Sequence, residues 1–60
     1  MADTAEFYRN RAAEEHGLAV AATLDNVRDR CLRAEAAWLA MADRAERTAT
    51  LRATREAAHA

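Results

Sequence analysis

At 60 residues the chain has room for one domain, and nine basic against ten acidic residues leave a formal net charge of -1, which excludes a global field drawing it to nucleic acid or anionic lipid. Apolar residues make up 52%, but 18 of them are Ala and only twelve are large, too few for a generous core at this size. The single Cys31 leaves no disulfide framework to compensate.

The first element in chain order is a helix over about residues 4–22. Asp3 is expected to cap it, with Glu6 three residues on completing a capping box and complementing the helix dipole. Ala5, Tyr8, Ala12, Glu15, Ala19 and Ala22 recur at alternating spacings of three and four, the seam of a heptad pattern. Phe7 and Leu18 lie beside this row and widen it. Gly17 falls inside the helix, where glycine costs about 1 kcal/mol relative to Ala, so it marks either a close contact or a weak point.

Thr23, Leu24, Asp25 and Asn26 gather short polar side chains that compete for backbone hydrogen bonds, and the turn is expected there. Thr23, Asp25 and Asn26 are all candidates to cap the next helix. That second helix is expected over about 26–57, with no Pro anywhere to interrupt it and Ala, Arg, Glu and Leu dominant. Val27, Cys31, Ala34, Trp38, Met41, Ala45 and Thr48 form its seam, while Leu32 and Leu39, seven residues apart, make a second stripe. One partner helix cannot cover both stripes, and a bundle of more than two helices is what the pair requires. Past Thr48 the seam continues as Arg52, Arg55 and His59, so the end of the helix is expected to overhang and fray.

These elements give an all-α antiparallel hairpin. Ordering each residue costs roughly 1–2 kcal/mol and a buried large apolar side chain returns about 1.5–3 kcal/mol, which leaves a lone hairpin near break-even. A homodimeric four-helix bundle follows as the expectation, its core shared by Tyr8, Leu18, Val27, Cys31, Leu32, Trp38, Leu39 and Met41, with Phe7 beside them.

Among candidate sites, Glu15 stands where the seam calls for an apolar residue, and a buried carboxylate needs a partner. Arg11, Arg30 or Arg33 is expected to supply it as a buried ion pair. Glu56 and His59 have the spacing of half a di-iron motif, but they fall in the last, fraying turn and only Glu14 or Glu15 could supply the matching internal carboxylate, so no metal or other cofactor is expected. Cys31, on the seam, reads as an inert buried thiol. With no phosphate loop or nucleophile elbow in the chain, an enzyme is not expected. Arg44, Arg47, Arg52 and Arg55 populate the second half of the second helix and are the candidate face for a partner protein or nucleic acid. Such a row more simply forms a solvated, ion-paired face, so nucleic-acid binding is the weaker expectation.

The runs Tyr8-Arg9-Asn10-Arg11-Ala12-Ala13-Glu14-Glu15, Asn26-Val27-Arg28-Asp29-Arg30 and Ala37-Trp38-Leu39-Ala40-Met41-Ala42-Asp43-Arg44-Ala45-Glu46 together resemble a group of short uncharacterised alphaproteobacterial helical proteins. The resemblance implies a helical fold and carries no activity or site residue with it.

Asp3 and Glu6 stand where a signal peptide would need basic residues, and the longest uncharged run, His16 to Leu24, falls short of the roughly 20 residues of a membrane span. A cytoplasmic, self-associating helical hairpin that acts as an adaptor or regulator of a larger protein is the reading these features favour.

Overall fold

A computed structural model describes residues 4–59 of the chain. Two helices account for nearly all of them: α1, Ala5–Ala21, and α2, Asp25–His59. Among the described residues there is no strand, and no helix is long and apolar enough to cross a membrane.

Thr4 caps α1. Its extended backbone lets the hydroxyl accept a hydrogen bond from the Phe7 N–H at 3.2 Å, satisfying one of the donors a helix start leaves orphaned. The expected Asp3 cap lies outside the described residues. At the other end α1 tightens, the Ala22 N–H bonding the Ala19 carbonyl at 3.2 Å. The chain then reverses over Ala22, Thr23 and Leu24, one residue earlier than expected, and α2 begins at Asp25.

The reversal is held by a residue that the polar cluster did not announce. One Arg28 guanidinium nitrogen donates to the Ala22 carbonyl at 3.0 Å and the other to Asp25 at 2.9 Å, while the Arg28 N–H bonds the Leu24 carbonyl at 3.0 Å. Arg28 thus places positive charge at the carbonyl end of α1 and ties it to the first turn of α2.

Both predicted seams face inward. Ala12 and Ala19 of α1 are buried and Ala5, Tyr8, Glu15 and Ala22 are half-buried; on α2, Cys31 is buried, and Val27, Ala34, Trp38, Met41 and Ala45 are half-buried. Thr48, by contrast, is exposed. The deepest residues are Ala12 at 2% exposure, Ala19 at 3%, Cys31 at 5% and Ala42 at 1%, so the core is built from small side chains that let the two backbones approach closely.

The lengths are unequal. The 17 residues of α1 span about 26 Å and the 35 of α2 about 52 Å at 1.5 Å per residue, and α2 accounts for the long axis of a molecule measuring 54 × 16 × 13 Å. From Glu46 to His59 every residue is exposed. The radius of gyration, 15.4 Å, exceeds the roughly 10 Å of a compact chain of this length.

Candidate interaction surface

Two cross-helix contacts fix how α1 and α2 sit side by side. His16 Nδ1 lies 3.1 Å from Glu35 Oε1, and the Arg9 guanidinium pairs with the Glu46 carboxylate nearer the open end. Arg9, Ala13, His16 and Val20 form a row at spacings of four, three and four, and Leu32, Glu35, Leu39, Ala42 and Glu46 form its counterpart on α2. Because the polar members of the two rows join, the rows abut on one side of the hairpin. That side alternates polar cross-helix contacts with the apolar groups Val20, Leu32 and Leu39.

Those apolar groups are uncovered: Leu32 is 43% exposed, Leu39 44% and Val20 74%. Phe7, Leu18, Leu24 and Leu51 are exposed as well. No side chain larger than Cys is buried among the described residues, an inversion of the usual distribution of large and small apolar residues. The total accessible surface, 4797 Å² for 6.6 kDa, stands roughly 900 Å² above the about 3,900 Å² that a compact monomer of this mass would show.

On the opposite flank an aromatic cluster closes the open half of the hairpin. Trp38 stacks on Tyr8 with centroids 6.0 Å apart and meets the edge of Phe7 at 6.3 Å, while Phe7 and Tyr8 meet edge-on at 5.5 Å. The Arg11 guanidinium carbon lies 5.2 Å from the Trp38 ring centroid, within cation–π range. Trp38 and Tyr8 are therefore engaged within their own chain and remain half-buried.

Within the single hairpin Glu15 has no ion pair with a described residue. Arg11 turns to Trp38 and to Glu14, its Nη1 lying 3.5 Å from the Glu14 carboxylate. Arg30 and Arg33 are exposed, and neither is paired with Glu15 among the described residues. Glu15 is half-buried at the edge of the seam, where its carboxylate reaches water and needs no internal counter-charge.

Arg44, Arg47, Arg52 and Arg55 are all exposed and make no ion pair with a described residue. Arg44 and Arg52 flank an open groove of about 550 Å³ where α2 runs past the start of α1, its floor including Tyr8, Met41, Ala45 and Ala49. Arg47 and Arg55 do not line it. Cys31 is free and buried, and among the described residues no three His, Cys, Asp or Glu side chains converge as metal ligands would.

Glu35 and Glu46, the acceptors of the two cross-helix contacts, were not singled out from sequence. Their only signal is that they alternate with Leu32 and Leu39 along one row of α2. No family model matches the chain, and neither curated proteins nor solved structures give a match.

Proposed function

We propose that the protein is a cytoplasmic interaction module: a helical hairpin that self-associates into a homodimeric four-helix bundle and acts, by binding and not by catalysis, as an adaptor or regulator of a larger protein. The observation that carries this reading is that only small side chains are fully buried between α1 and α2, while Leu18, Val20, Leu32 and Leu39 stay exposed along the paired helices. Light scattering after size exclusion tests it. Twice the 6.6 kDa chain mass at micromolar concentration is expected, and a fully helical species that stays at the single-chain mass across concentrations removes the basis of the reading.

A second reading has its own support in the four cations of the second half of α2, Arg44, Arg47, Arg52 and Arg55, which lack acidic partners among the described residues. It makes the protein a small nucleic-acid-binding regulator. Electrostatic binding to phosphates is strongest at low salt, so a gel shift at about 50 mM salt that shows no complex with DNA or RNA eliminates it.

A further inference from the structure

Resting on the self-association proposed above, we infer that the second copy packs on the outer face of α2, antiparallel to it, with the two-fold axis beside Ala36. Arg28, Leu32, Ala36, Leu39 and Asp43 follow one another at spacings of four, four, three and four on that face, one stripe of a helix. Leu32 and Leu39 are its two large apolar groups, and both are exposed. Ala36 between them is exposed and small, so a second backbone can come close at the centre of the stripe.

The charges select the direction. Arg28 stands four residues before Leu32, and Asp43 four residues after Leu39. An antiparallel pairing that sets Leu32 on the partner's Leu39 therefore sets Arg28 opposite the partner's Asp43, and the two-fold repeats both contacts, as an isologous interface must. A parallel, in-register pairing sets Arg28 against its own kind and Asp43 against its own kind, two like-charge contacts that oppose association. Asp43 has no ion pair with a described residue. Arg28 spends two of its five donors on Asp25 and the Ala22 carbonyl, which leaves N–H groups for a carboxylate across the interface.

The flank carrying Phe7 and Leu18 lacks this symmetry. Its one large aromatic cluster is closed on itself by Trp38 and Arg11, so it offers no stripe that repeats under a two-fold.

Site-directed disulfide trapping tests the arrangement, with the unmodified chain, whose Cys31 is buried, as the control. Mixed Leu32→Cys and Leu39→Cys proteins are expected to cross-link at least tenfold faster than either alone. Self-linking of either variant as fast as the mixture overturns the antiparallel register. Because each of those variants removes a leucine from the interface, Ala36→Arg provides a second measurement: it keeps both leucines and an exposed helical position, and is expected to raise the dimer dissociation constant at least tenfold with helix content unchanged. An unaltered dissociation constant overturns the assignment of this face while dimerisation itself stands. A monomeric unmodified chain overturns the self-association on which the arrangement rests.

Discussion

Replacing Gly17 with Ala isolates one contribution to the stability of α1. Gly17 lies within the 17-residue helix, has no positive φ, and is exposed. A Cβ added there meets nothing within 4 Å, so neither overpacking nor backbone strain opposes the change. A single exposed methyl also buries too little surface for a hydrophobic gain. What remains is helix propensity, which favours Ala over Gly by about 0.8–1 kcal/mol in a helix interior. For a domain of this size about 1 kcal/mol raises Tm by about 4–8 °C. Thermal melts followed by far-UV circular dichroism at matched protein concentration measure it, concentration being held because association shifts the midpoint. An unchanged or lowered Tm refutes the reasoning, since it requires either that α1 is unformed around Gly17 or that this surface is occupied in the assembled protein.

Ala42→Leu is expected to destabilise by about 1–3 kcal/mol despite adding apolar atoms, because Ala42 is 1% exposed between closely packed helices; chemical denaturation that shows a gain in stability contradicts the close approach. Arg28→Met removes the bonds to the Ala22 carbonyl and Asp25 and is expected to cost about 1 kcal/mol, read by the same assay, with no loss indicating that the turn holds without its guanidinium. A double-mutant cycle of His16→Ala and Glu35→Ala is expected to give a coupling below about 1 kcal/mol, because the His16 side chain is largely exposed. A coupling several times larger means that the pair is buried in the assembled protein.

The seams were legible because heptad spacing survives even where the residues are weakly apolar. On α1 the whole row from Ala5 to Ala22 turned inward, Glu15 included, although hydrophobicity is spread almost evenly around that helix. Spacing carried information that hydrophobicity did not. Leu32 and Leu39 were legible as a second stripe for the same reason, and within the single hairpin they stay uncovered. Ala42 was not legible: with 18 alanines in the chain, an Ala buried between the helices is indistinguishable in sequence from one facing water. The cross-helix contacts were hidden too, since His16 meets Glu35 and Arg9 meets Glu46 only once the relative rotation of two helices is set. The placement of Arg11 over the face of Trp38 was hidden for the same reason.

The overhang follows from how helices grow. A free segment of the length of Glu46 to His59 is at the margin of helix formation in water, because nucleation is costly for fewer than about 12–15 residues. Here nucleation is already supplied by the packed part of α2, and each further residue only propagates an existing helix. Thr54 settles into it by donating its hydroxyl to the Thr50 carbonyl at 2.9 Å. The seam there changes from Ala45 and Thr48 to Arg52 and Arg55, so the extension has no apolar row with which to collapse onto α1 or onto another copy. In the proposed dimer through the Leu32–Leu39 face the extension would project, a preformed helix that costs little further ordering to bind.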